Sequence, residues 1–257
     1  MLQNELLPRL MQKGQRLVSH ELHFYGIGES ELEYKLHDLM AKSKNPTIAP
    51  YAGTGEVKLR VTASLPEGED AEALLQPAIK KILAAAGDYC YGIDVPDLQT
   101  AAVQALRKKG LTVASAESCT GGLVAARLTE VPGASAVFGC GIVSYNNTVK
   151  AEVLGVDPAI IEQYTAVSAE TAAAMAAAIR QKSGAAIGIG ITGNAGPSAS
   201  EGQPVGLVFV AVASEKYSHV SRLFIDRHDA DARNLIRHFV ALKALSLILR
   251  AAGYYKE

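Results

Sequence analysis

The chain has 257 residues, 49% of them hydrophobic and 20% charged, and a formal net charge of −1. That length allows one or two domains with a well-buried core, and the composition excludes a disordered chain, which needs low hydrophobicity and an excess of one charge. Residues 1–92 carry 10 Lys and Arg against 12 Asp and Glu, and the remainder 15 against 14. Neither part has the basic stripe that neutralises phosphates, so no nucleic-acid partner is expected.

The pattern over residues 1–92 predicts a small α+β domain. Leu2–Met11 reads as a short helix and Arg16–Tyr25 as a strand. A helix over Ser30–Ala41 would start on a capping box, Ser30 with Glu33 three residues on, which satisfies orphaned N–H groups. Residues 45–55 read as loop. In Glu56–Ala63, Val57, Leu59 and Val61 share one face, as in a half-buried strand. Asp70–Ala86 reads as a helix despite Pro77, and residues 92–96 as the linker.

From residue 93 to 257 the reading alternates. Helix Asp97–Lys109 stops at Gly110, strand Leu111–Ala116 follows, then helix Thr120–Thr129. Strand Gly141–Tyr145, a short helix near Thr148–Leu154 and an alanine-rich helix Ser168–Ser183 come next. Strands Ala185–Ile191, Val205–Ala213 and Ser218–Ile225 lead to a last helix, Ala230–Ala251. This order predicts an α/β domain: a mostly parallel sheet sandwiched by helices, with an antiparallel pair added late.

Cys90, Cys119 and Cys140 are an odd number without metal-ligand or CxxC spacing. That suits a reducing compartment, and no metal or other cofactor is expected. The first residues lack the charged and apolar regions of a signal peptide, and nowhere do about 18 apolar residues run together. A cytoplasmic protein with no membrane partner is the expectation.

Three strand-to-loop turns carry the residues suited to chemistry, and ligands of such sheets collect outside the carboxyl ends of strands. Ala116–Gly122 follows a buried strand and opens a helix. A hydroxyl there, Ser118, can act as a nucleophile. Thr120, Gly121 and Gly122 would let a ligand approach the backbone and its free N–H groups. An ordinary turn in which Ser or Thr merely caps the helix has the same spacing. The loop is neither a Walker loop nor a GxSxG elbow.

The second turn, Ser144–Lys150, places Lys150 in the first turn of a helix if Asn147 or Thr148 caps it. There the macrodipole and burial both disfavour an ammonium, which would turn the lysine into a base; a solvated lysine is the bland alternative. The third, Ile191–Pro197, holds Thr192 and Gly193. Arg233 could meet a phosphate or remain a surface cation. Glu117 could orient Lys150 or hold its own turn, and Cys119 is a rival nucleophile without a positioned His. The later histidines, His219, His228 and His238, have no Asp or Cys spacing that would make them a metal set or a Ser-His pair.

These motifs, AESCTGG over 116–122, GIVSYNNTVK over 141–150, Ala166-Val167-Ser168 and TGNAGP…PVG over 192–206, resemble the C-terminal domain of the CinA family of competence/damage-inducible proteins. The stretches Phe24–Ser30, Asn45–Tyr51 and Gly55–Arg60 resemble that family's KH-type middle domain. The resemblance implies metal-free hydrolysis of a small-molecule nucleotide, nicotinamide mononucleotide, to nicotinate mononucleotide and ammonia. It implies Ser118 as nucleophile, Lys150 as its general base, Tyr145 and Thr192 in support, and Arg233 as the family's arginine.

Family members associate, so a homo-oligomer, a dimer, is expected. The family's N-terminal molybdopterin-binding-like domain has no counterpart here, so the ADP-ribose pyrophosphatase activity linked to it is expected to be absent. Thr148, Asn194 and the 198–203 loop depart from the family pattern. They keep two alternatives open: a catalytically silent nucleotide-binding or partner-docking module, and Ser/Lys chemistry on another carboxamide. Residues 1–92 contain no GxxG clamp for nucleic acid.

Overall fold

The structure is a computed structural model that describes residues 15–254. The chain divides into two units, Met1–Pro96 and Asp97–Glu257. The expected helix Leu2–Met11 lies outside the described residues.

In the first unit, strands β1 (Gln15–Tyr25), β2 (Thr47–Ala52), β3 (Glu56–Pro66) and β4 (Cys90–Ile93) form an antiparallel sheet in the order β2-β3-β1-β4. Helices α1 (Glu29–Lys42) and α2 (Glu72–Ala86) complete it. Along β3 every second residue, Val57, Leu59, Val61, Ala63 and Leu65, is buried. They join Leu22 and Phe24 of β1, Leu32 and Leu36 of α1, and Leu75, Ile79 and Ile82 of α2 in one core. Each of these side chains larger than alanine contributes about 1.5–3 kcal/mol by leaving water.

Three readings of this unit change. Residues 47–52 are strand, not loop; Pro50 is compatible because β2 is an edge strand and one side of its backbone needs no partner. Residues 92 and 93, read as the start of the linker, are instead the end of strand β4. The Ser30/Glu33 capping box does not form: α1 begins at Glu29 with Gly28 as its cap and no side-chain cap bond, so Ser30 lies within the first turn. Glu29 and Glu31 instead place negative charge at the positive end of the helix.

The second unit contains α3 (Leu98–Lys109), β5 (Val113–Glu117), α4 (Leu123–Thr129), β6 (Phe138–Val143), a π-helical turn (Val149–Leu154), α5 (Pro158–Tyr164), α6 (Ala169–Ser183), β7 (Ile187–Gly193), β8 (Leu207–Ser214), β9 (Ser218–Phe224) and α7 (Ala232–Ala251). Its sheet runs β6-β5-β7-β8-β9. The pairs β5–β6 and β5–β7 are parallel, and β7–β8 and β8–β9 antiparallel, so only β8 runs against the other strands. This is the α/β sheet with a late antiparallel pair.

Successive residues of a strand point to opposite faces, so the two faces of β5 take different helices. Ala114 and Ala116 pack with Met175 and Ile179 of α6. Glu117, on the opposite face, reaches the start of α4. Contact with α6 is close: a Cβ on Gly188 or Gly190 would fall 2.1 or 2.2 Å from the carbonyl oxygens of Ala176 or Ala172. Small residues on both sides, alanine on α6 and glycine on β7, permit that approach. Ser168 starts α6 by accepting the N–H of Thr171 at 3.1 Å.

Two further differences bear on the site. The helix after the serine turn begins at Leu123, not Thr120, because Gly121 (φ +61°) and Gly122 (φ +91°) are left-handed. Helix α5 is additional; Asp157 accepts the N–H of Ala159 at 2.9 Å and Pro158 occupies the first helical position.

Candidate active site

The chain leaves β5 toward β6 on one side and later returns to β7 on the other. Between such strands an α/β sheet opens a crevice at the carboxyl ends. All three turns singled out above lie there. The N–H of Ser118 donates to the Ile191 carbonyl at 3.0 Å, and that of Ser144 to the Glu117 carbonyl at 2.8 Å. The ladder thus holds each turn one residue beyond its strand.

Glu117 is 1% exposed. Its carboxylate accepts the N–H groups of Val124 at 3.1 Å and Ala125 at 2.9 Å, and the Ser115 hydroxyl at 3.1 Å. These N–H groups open α4 and have no partner within the helix. Of the two roles open to Glu117, holding the turn is the one its bonds describe.

Lys150 is 2% exposed. Asn146, rather than Asn147 or Thr148, caps its turn, its side-chain oxygen accepting the N–H of Val149 at 2.8 Å. Lys150 nonetheless lies in the first turn, and its Nζ is 3.5 Å from the Tyr145 carbonyl oxygen. Burial pushes the pKa of Lys150 below the ordinary lysine value, while the charge of Glu201 opposes that shift. Burial also pushes the Cys119 thiol up to about 12. Cys119 therefore stays protonated and a poor nucleophile.

Thr192, 1% exposed, donates its hydroxyl to the Ala166 carbonyl at 2.5 Å. The N–H of the same residue, Ala166, donates to the Glu201 carboxylate at 2.7 Å. Asn194 closes the base of the following loop: its N–H donates to Leu207, its carbonyl accepts from Gly206, and its amide donates to the Gln203 carbonyl at 3.1 Å. A polar side chain at this position is thus consumed by loop closure. On α7, Arg233 donates to the Gly196 carbonyl and, at 3.0 Å, to the Tyr145 hydroxyl.

Ser118, Tyr145, Lys150, Thr192, Gly193 and Arg233 line one cavity of about 300 Å3. Thr120, Gly121 and Gly122 are not in its wall. Thr120 is buried, with its carbonyl accepting from Arg237 at 2.8 Å, and the two glycines form the turn that leads into α4. Glu201 and Asn147, which also line the cavity, and Arg237, which holds Thr120 behind it, were not foreseen. Nothing local marks them, since each acts on a segment distant in sequence. A larger cavity, about 590 Å3, lies at the other end of β7 among Lys109, Arg180, Lys216 and Arg250. It contains neither Ser118 nor Lys150, so volume does not choose the site; chemistry does.

The sequence profile of the CinA C-terminal domain matches residues 96–252, and that of the damage-inducible protein CinA KH domain matches residues 19–92. The chain belongs to the CinA family. A competence-damage inducible protein of Halothermothrix orenii is 45% identical over 215 residues, which cover 83% of this CinA-family chain and 52% of that protein. A CinA-like protein of Kosmotoga olearia is 40% identical over 253 residues, covering 98% of this chain and 60% of that one. The chain therefore spans between half and two thirds of the length of these relatives.

Among solved structures, the competence/damage inducible protein CihA of Agrobacterium tumefaciens is similar with a TM-score of 0.57 and 34% identity, over 62% of this chain and 95% of that one. A CinA superfamily protein of Escherichia coli gives 0.56 and 30%, over 61% and 89%. No helix of the described residues is long and apolar enough to cross a membrane.

Proposed function

We propose that this CinA-family chain hydrolyses the carboxamide of nicotinamide mononucleotide, giving nicotinate mononucleotide and ammonia. The observation that carries the reading is a lysine with its pKa lowered by burial, lining the same cavity as a serine at the end of a central parallel strand. A lysine becomes a general base only when its proton affinity falls toward neutral pH, and burial does that.

Ser118 Oγ attacks the carboxamide carbon while neutral Lys150 takes the hydroxyl proton. The tetrahedral intermediate collapses to a Ser118 ester, and Lys150 returns the proton to the departing nitrogen, which leaves as ammonia. Water, deprotonated by Lys150, then attacks the ester and releases the carboxylate and Ser118. The N–H of Ser118 is committed to Ile191 and that of Gly121 to the Ser118 carbonyl. Of this turn's remaining N–H groups, that of Cys119 belongs to a residue lining the cavity and is the one suited to stabilise the oxyanion. Arg233, held beside Tyr145, is the cation of the cavity suited to the substrate phosphate. Tyr145 and Thr192 support the site by fixing Arg233 and the Ala166 segment.

Proton NMR of the pyridine ring during incubation with the protein tests the reaction, with a panel of other carboxamides run in parallel. Conversion of nicotinamide mononucleotide to nicotinate mononucleotide, absent for Lys150→Ala, supports the proposal. Conversion of a different carboxamide alone transfers the mechanism to that substrate, and binding without conversion makes the chain a nucleotide-binding module. A dimer in the cytoplasm is the setting proposed for this activity, and the sedimentation velocity of the purified chain tests the dimer.

A further inference from the structure

Glu201 lies on the loop between β7 and β8, in the segment that departs from the family pattern. Its backbone is left-handed at φ +52°, a conformation unfavourable for a non-glycine residue. Glu201 is exposed, yet both carboxylate oxygens turn toward the cavity wall. One accepts the amide of Asn147 at 3.3 Å, the other the N–H of Ala166 at 2.7 Å. The Ala166 peptide is thereby held from both sides, its N–H by Glu201 and its carbonyl by Thr192. Asn147 in turn belongs to the turn that carries Lys150. A single carboxylate connects three segments around the cavity.

We infer that Glu201 is a positioning residue: it clasps the Asn147 and Ala166 segments together and fixes a negative charge in the cavity that Lys150 lines. This rests on the reading of Lys150 as the general base. The titratable and charged groups sharing the cavity with Lys150 are Glu201, Cys119, Tyr145 and Arg233. Glu117 is committed to α4. Cys119 stays a thiol, so Glu201 is the carboxylate of the cavity lining whose charge acts on Lys150. Burial alone would leave the lysine a weaker base. The carboxylate restores part of its proton affinity, which a base that must also deliver a proton to ammonia requires.

Two substitutions separate charge from clasp. Glu201→Gln removes the charge and keeps an oxygen for the Ala166 N–H; Glu201→Ala removes both. The experiment is a pH titration of the full chain carrying lysine labelled with 13C at Cε, with the Lys150 signal assigned by its loss in Lys150→Met. It needs no substrate, so it is readable even if the chain proves silent on nicotinamide mononucleotide. Lys150 is expected to titrate at lower pH in both variants, with the Ala166 amide resonance retained in Glu201→Gln and displaced in Glu201→Ala.

In turnover, the acidic limb of the pH–rate profile moves to lower pH in Glu201→Gln. In Glu201→Ala, kcat/KM falls by about tenfold or more from misplacement. Identical Lys150 titration in wild type and Glu201→Gln would overturn the electrostatic part. An undisturbed Ala166 amide in Glu201→Ala would overturn the clasp. Normal Glu201 effects on Lys150 with no turnover in the wild type would instead count against the proposed reaction alone.

Discussion

The Glu117 carboxylate accepts the N–H of Ala125 at 2.9 Å, binding the last residue of β5 to the first turn of α4 across the loop that carries Ser118. The place of Ser118 thus depends on a buried carboxylate that does not line the cavity. A serine at a strand end needs a rigid loop to be held at one position. Here the rigidity comes from both sides: the Ile191 carbonyl fixes the Ser118 N–H, and Glu117 fixes the helix that follows.

Glu117→Ala leaves one buried and one half-buried N–H group without an acceptor and is expected to lower unfolding free energy by about 3 kcal/mol. Glu117→Gln retains one acceptor oxygen and loses less. Urea unfolding checks this through the midpoint at constant slope; an unchanged midpoint for Glu117→Ala would remove Glu117 from the structural account.

Thr192→Val keeps shape and removes the hydroxyl that Ala166 accepts. A cost of about 1–2 kcal/mol is expected for the orphaned carbonyl, together with lower kcat/KM, while Thr192→Ser preserves both. Equal behaviour of the Val and Ser variants in denaturant and in turnover would show that the bond does not hold the wall of the cavity.

How much of this was legible in the sequence differs by element. The alternation of Val57, Leu59 and Val61 marks β3 because one face of that strand is buried along its length. Strand β2 is hidden by Pro50, which reads as loop unless the edge position is known. Ser168 announces α6 by its capping chemistry, and Asp157-Pro158 carried an equally readable signal for α5. Ser118, Lys150 and Thr192 were accessible because strand-to-turn junctions are local and resemble known motifs. Glu201 was not: it bonds residues 35 and 54 positions away, and only the folded sheet brings them together. Arg237, 117 positions from Thr120, was hidden for the same reason.

Lys150→Met removes an ammonium from a buried position at nearly constant length. It is expected to abolish turnover and raise stability by about 1 kcal/mol, a trade between function and stability common at active sites. The gain depends on pH. Lys150 has a lowered pKa when folded, so the unfolded chain binds more protons between that value and the ordinary lysine value of about 10.4. Wild-type stability therefore rises with pH across this window, and the advantage of Lys150→Met shrinks there. Thermal unfolding at several pH values checks the slope; a variant less stable than wild type at every pH would contradict it.

In the first unit, His20 sits between Glu72, 2.9 Å from Nε2, and Asp94, 2.5 Å from Nδ1. Hydrogen bonds to Glu72 and then Asp94 raise its pKa above the ordinary 6.5. Its contribution to stability is fully present below that ordinary value and is lost as pH rises through the elevated one. His20→Ala should therefore increase amide exchange in β1 more at pH 6 than at pH 9. An equal effect at both pH values would show that charge on His20 contributes nothing.

The most direct measurement is ammonia release from nicotinamide mononucleotide by wild type, Ser118→Ala and Lys150→Ala, prepared together and assayed with EDTA present. The account predicts release by the wild type, with both variants reduced at least about a thousandfold, as expected when a nucleophile or its base is removed. Undiminished release by Ser118→Ala would contradict it, as would a folded wild type that binds the nucleotide and releases no ammonia.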